Sequence, residues 1–139
     1  MLSRYILIQA ICSGIIAGII LFQSIIIAPT IFTNLESKDS SKIIRTIFPK
    51  LFIFLTMIGL VSLSSSFLFD ENNATNYYVS FFTVIASIVC YLLIPMTNKA
   101  TDNGEEKKFF YLHTFSITTT LIILFLNIIW IFLFKIQMI

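Results

Sequence analysis

Four stretches of this 139-residue chain, Tyr5 to Ile27, Leu51 to Phe69, Tyr78 to Ile94 and Tyr111 to Phe134, contain no Asp, Glu, Lys or Arg. Crossing about 30 Å of hydrocarbon takes about 20 apolar residues at 1.5 Å each, and all four stretches come near that length. In lipid the backbone must satisfy its own hydrogen bonds, which leaves helices or a closed barrel. Barrel strands alternate apolar and polar residues, and runs such as Ile19-Ile20-Leu21-Phe22 and Leu121-Ile122-Ile123-Leu124 do not alternate. The expected fold is therefore an all-α integral membrane protein, a single four-helix transmembrane bundle over residues 1–139. Composition agrees: 58% hydrophobic against 12% charged residues makes lipid the main solvent. Arg4 before the first apolar run has the charge order of a signal peptide, but the run is too long and ends at Ala28-Pro29 without a small-x-small cleavage site. It reads as a retained span.

Punctuation between the spans predicts where helices stop. Pro29 should end the first span, Pro49 should occupy the first turn of the second, Asp70-Glu71-Asn72-Asn73 should end it, and Pro95 should close the third. Thr97 to Gly104 reads as a polar loop, after which Glu105 and Glu106 sit at the positive N-terminal end of the last helix. Residues 36–48 predict a short amphipathic helix on the membrane surface, with Lys38, Asp39, Lys42 and Arg45 spaced at three and four. Its Ile43, Ile44 and Ile47 would rest on lipid, and Phe32 and Phe48 would anchor the loop at the interface.

Orientation follows from the basic residues. The first loop holds Lys38, Lys42, Arg45 and Lys50, and the third holds Lys99, Lys107 and Lys108. The second holds none, and the termini carry only Arg4 and Lys135. The expectation is that loops one and three are cytoplasmic and both termini outside, in a membrane such as the bacterial inner membrane. A net charge of +2 spread along the connections gives no nucleic-acid footprint, so the expected partners are the lipid bilayer and, as a possibility, a second copy of the chain. The Asn73-Ala74-Thr75 sequon would matter only in a secretory pathway.

Functional residues are sparse. Ala10, Gly14 and Gly18 recur every four residues and predict a close helix-packing face, for another span of the chain or for a second copy. Gln9 and Gln23 lie near the two ends of the same span and read as interfacial unless they meet a polar partner. His113 is the only histidine, with Ser116 one turn later on the same side. It reads as an interhelical hydrogen-bonding group, with a metal ligand, haem ligand or proton carrier as the alternative. Cys12 and Cys90 lack CxxC spacing and read as small core residues. Thr118, Thr119, Thr120 and Asn127 predict that one face of the last span points into the bundle, and Ser64-Ser65-Ser66 reads as helix packing. No carboxylate pair, nucleophile motif or phosphate loop is present, so an enzyme is not expected and no cofactor is predicted.

Gly18 to Leu35, with its Ala28-Pro29 and Phe32, is followed by Phe48-Pro49 and later by Pro95, Phe110 and His113-x-x-Ser116. Together these resemble the transmembrane protein 205-like family, also described as domain of unknown function 4149. The resemblance implies a four-span membrane protein without an established biochemical role. A distant similarity of that family to the membrane domains of copper-resistance proteins makes a metal-linked role conceivable. It also implies an asparagine in the third span before Pro95, where this chain has Tyr91 and Leu92. A second is implied after the histidine, where it has Thr118 and Thr119. The functional expectation is a non-enzymatic packing, accessory or stress-related bundle; the alternative is metal or haem handling through His113.

Overall fold

A computed structural model describes residues 4–69 and 74–137. The predicted break at Asp70 to Asn73, with the sequon asparagine, lies outside the described residues. Helix α1 spans Arg4–Phe22 and runs through a π turn at Gln23–Ile27 into α2, Ala28–Asn34; α3 spans Ser37–Phe69, α4 Ala74–Asp102 and α5 Glu106–Gln137. The α1–α2 rod, α3, α4 and α5 are each long and apolar enough to cross a membrane. They form a ring in which α1 packs on α3 and α5, and α4 packs on the other sides of the same two helices. Ile16, Ile20, Phe52, Leu55, Cys90 and Ile123 meet at its centre.

The prolines do not behave as span boundaries. Pro49 lies inside α3 and Pro95 inside α4. The expected surface segment at 36–48 is in fact the first three turns of α3, continuous with the span, and Ile44 lines an internal cavity where lipid contact was expected. Transmembrane helices tolerate proline because the freed carbonyls find other partners within the protein. At Pro29, which cannot donate a hydrogen bond, the chain widens beforehand: the Ala28 N–H donates to the Gln23 carbonyl five residues back, and the rod resumes as α helix.

The stretch read as a loop from Thr97 is helical to Asp102. It ends in a Schellman turn. Glu105 N–H donates to the Ala100 carbonyl at 2.9 Å and Gly104 N–H to that of Thr101 at 3.2 Å, with Gly104 at φ 67°. This left-handed conformation favours glycine because a Cβ would crowd the following carbonyl. Glu105 then pairs with Lys108 at 3.0 Å and accepts from Asn103 at 3.0 Å, and Glu106 occupies the first turn of α5 as expected. The Asn103 bond, followed by Lys108, holds the Glu105 carboxyl below its ordinary pKa.

Helix α1 turns a different face inward from the one its glycines suggest. Gln9, Cys12, Ser13, Ile16, Ala17 and Ile20 are buried, whereas Gly14 and Gly18 are exposed, and a Cβ on either would meet nothing within 4 Å. Gly14 and Gly18 therefore make no close approach within the chain, while Ala10 of the same stripe is half-buried. Close helix approach occurs instead at Gly59 of α3, where an added Cβ would stand 3.0 Å from Val84 Cγ2 and 3.3 Å from Thr83 Cγ2 of α4.

Candidate functional site

Helix α4 turns a ladder of small polar residues toward the core. Asn76, Ser80, Thr83, Ser87 and Cys90 are all buried, at alternating spacings of four and three that keep them on one face. Each rung reaches a neighbouring helix. Ser80 and Ser62 share a hydrogen bond of 2.7 Å, and Thr56 donates to Ser87 at 3.0 Å, both tying α4 to α3. Asn127 of α5 donates to Thr83 Oγ1 at 3.1 Å, and Trp130 Nε1 donates to Asn76 Oδ1. The Cys90 thiol lies within reach of the Ser116 and Thr119 hydroxyls of α5. On α1, Gln9 meets a polar partner after all, donating from Nε2 to Ser66 Oγ of α3. In lipid such bonds take the place of a hydrophobic drive between helices. The ladder is architecture. It fills one half of the bundle.

The opposite half, at the end that carries the basic residues, is not filled. A cavity of about 420 Å³ opens between α2, the first turns of α3, the last turns of α4 and the start of α5. A second, of about 200 Å³, lies between the α1–α2 junction, α3 and α5. Phe48, Phe52, His113 and Ser116 border both. The larger cavity is walled by Phe32, Phe48, Phe52 and Phe109, with Ser41, Asn98 and His113 as polar points. His113 stacks on Phe109, with ring centroids 5.3 Å apart and planes 11° from parallel. Among the described residues His113, Asn98 and Ser41 have no hydrogen-bond partner in the protein, whereas Thr97 and Ser40 donate to backbone carbonyls. The second cavity is bordered by apolar side chains, among them Ile20, Leu51, Ile117 and Leu121, together with the polar Gln23, Ser24 and Thr120.

Arg45 is the one charged residue among the described residues lining the larger cavity, and it is already engaged. Its guanidinium donates twice to Asp102 of α4, at 3.1 and 2.5 Å. The Arg45 contact lowers the Asp102 pKa below its ordinary value, and the same bond raises that of the guanidinium. The pair joins α3 to α4 beside the cavity.

Four residues singled out in the sequence thus share one place: Phe32, Phe48, His113 and Ser116 all line the larger cavity, and Ala28 lines the smaller one. Pro29, Pro49 and Pro95 do not line either; they sit in the helices that frame them. Ala10, Gly14 and Gly18 line neither cavity; Gly14 and Gly18 are exposed on α1 and Ala10 is half-buried. His113 is not joined by a metal-binding cluster, since no group of three His, Cys, Asp or Glu side chains comes together among the described residues.

The family model for a domain of unknown function, DUF4149, matches residues 11–106. The chain belongs to this family. The match covers Ala28-Pro29, Phe32, Phe48-Pro49 and Pro95 and stops before His113 and Ser116, so the DUF4149 region supplies α2, α3 and α4 as cavity walls, and α5 closes them. No curated protein and no solved structure matches the chain. The four long apolar helices make it a multi-pass helical membrane protein, and DUF4149 membership adds no chemistry to that. Its chemistry has to be argued from the cavities.

Sequence reasoning missed the α4 ladder and both cavities. The ladder had a signal in the four-three spacing of Asn76, Ser80, Thr83, Ser87 and Cys90. The cavities had none, because they are bordered by side chains brought together from several different helices.

Proposed function

We propose that this DUF4149 protein is a non-enzymatic, accessory membrane protein that holds a small lipophilic molecule between its helices at the basic end, with that end facing the cytoplasm. The observation that carries the proposal is a cavity of about 420 Å³ in which aromatic walls surround Ser41, Asn98 and His113, which have no hydrogen-bond partner among the described residues. Ligand pockets in helical bundles have this size and this mixture of apolar lining with a few polar groups. The narrower likeness to transmembrane protein 205-like proteins belongs to the same proposal, since Phe32, Phe48, His113 and Ser116 of that motif border the cavity. Seven basic residues in the two loops of this end, against none in the loop opposite, support the cytoplasmic orientation.

Metal or haem handling through His113 is the alternative, and it has one candidate ligand. The test is purification of the full chain in mild detergent beside two variants, Ser41→Trp, which fills the cavity, and His113→Ala. Mass spectrometry of bound small molecules is combined with elemental analysis and absorption spectroscopy. The expected result is a lipophilic molecule retained by the wild type and lost from Ser41→Trp. A stoichiometric metal or haem lost from His113→Ala would replace the proposal with the alternative. Identical bulk lipid in all three preparations would overturn it.

A further inference from the structure

The two cavities differ in chemistry and share a wall, which constrains what can occupy them together. The larger offers Ser41, Asn98 and His113 as hydrogen-bonding groups without protein partners among the described residues. It offers no unspent charge. Arg45 makes a two-point pair with Asp102, and none of Lys38, Lys42, Lys99, Lys107 or Lys108 lines it. An anionic head would meet a guanidinium whose charge Asp102 already balances, whereas an uncharged head with hydroxyl or carbonyl oxygens finds donors and acceptors without protein partners. The smaller cavity, past Phe48 and Phe52, is the less polar of the two, with Gln23, Ser24 and Thr120 among apolar side chains, and lies along the α1–α2 junction, α3 and α5, deeper in the span. At about 200 Å³ it takes one slender chain.

We infer that the ligand is an uncharged single-chain amphiphile, its polar head among Ser41, Asn98 and His113 and its chain entering the cavity beside Leu121. The inference rests on the proposed function above and adds the charge and shape of the molecule. His113 supplies a hydrogen bond to the head from a ring stacked on Phe109, and the chain passes Phe48 and Phe52, which border both cavities.

The test uses native mass spectrometry of the full chain in mild detergent, titrated with monooleoylglycerol or with oleoyl-lysophosphatidylglycerol, which keeps the chain and adds a negative head. Wild type, His113→Ala and Leu121→Trp are compared, with helicity checked by circular dichroism. The expected result is one monooleoylglycerol bound, in preference to the anionic lipid. Binding should weaken about three- to tenfold in His113→Ala, as for one lost hydrogen bond, and fall in Leu121→Trp as the chain site fills. Preference for the anionic lipid, still weakened by His113→Ala, would overturn the uncharged class and leave the cavity as the binding site. Absence of binding, or equal binding by all three proteins, would overturn both.

Discussion

Asn127 is almost fully buried, donating to Thr83 Oγ1 and to the Ile123 carbonyl. The Thr83 hydroxyl also donates to the Val79 carbonyl, so it keeps a partner if Asn127 is lost. Asn127→Leu should therefore cost the interhelical bond alone, about 0.5–2 kcal/mol for such pairs in membranes, read as earlier unfolding in a mixed-micelle denaturant titration. Gly104→Ala should cost roughly 1 kcal/mol in the same titration, because alanine resists the left-handed conformation that ends α4. At this scale the sequence was partly legible. His113 and Ser116 stood out as polar residues one turn apart in an apolar span, and both border the cavities. Asn76, Ser80, Thr83 and Ser87 were passed over because small polar residues weigh little singly. Only their shared face makes them a ladder.

Among the helices, α1 shows what spacing can and cannot convey. A four-residue repeat of small residues places them on one side of a helix, but small size alone does not say which side turns inward; in α1 the polar Gln9 and Ser13, one turn apart, mark the buried side. Gly14→Leu and Gly18→Leu should each leave unfolding within about 0.5 kcal/mol of wild type, as for outward-facing substitutions. Gly59→Leu should lower stability by roughly 1–3 kcal/mol, since its side chain would press on Val84 and Thr83. Thermal unfolding of the three variants in one detergent checks the ranking. The prolines misled for a related reason. Rules for helix ends come from chains in water, where a freed carbonyl turns to solvent, whereas here Pro49 and Pro95 sit within helices and span ends leave little mark. At 1.5 Å per residue the 33 residues of α3 extend about 50 Å, well past the hydrocarbon. The basic first turns of α3 thus stand beyond the apolar layer and form one wall of the larger cavity.

For the molecule as a whole, the number of spans and the helical class were plain from four uncharged stretches, because lipid forbids most alternatives. The ring order of the helices and the gap at its basic end were not, since both depend on how side chains on different helices fit. The Arg45–Asp102 pair ties that end together, and its pH dependence has a definite sign. Asp102 has a folded pKa below its ordinary value, so its contribution is present above the unfolded carboxylate range and is lost as pH falls through the folded value. Wild type should therefore exceed Asp102→Asn in unfolding temperature at neutral pH, and the gap should close below about pH 4. Asp102 is exposed and Arg45 half-buried, so the gap should be small and should shrink with added salt. No more than a third of the most apolar window of any span is buried inside the molecule. The surrounding annulus of acyl chains is thus the larger packing partner, and bilayer thickness and chain order become variables of the protein's own rigidity. A thin membrane and a thick one would hold measurably different versions of the same bundle.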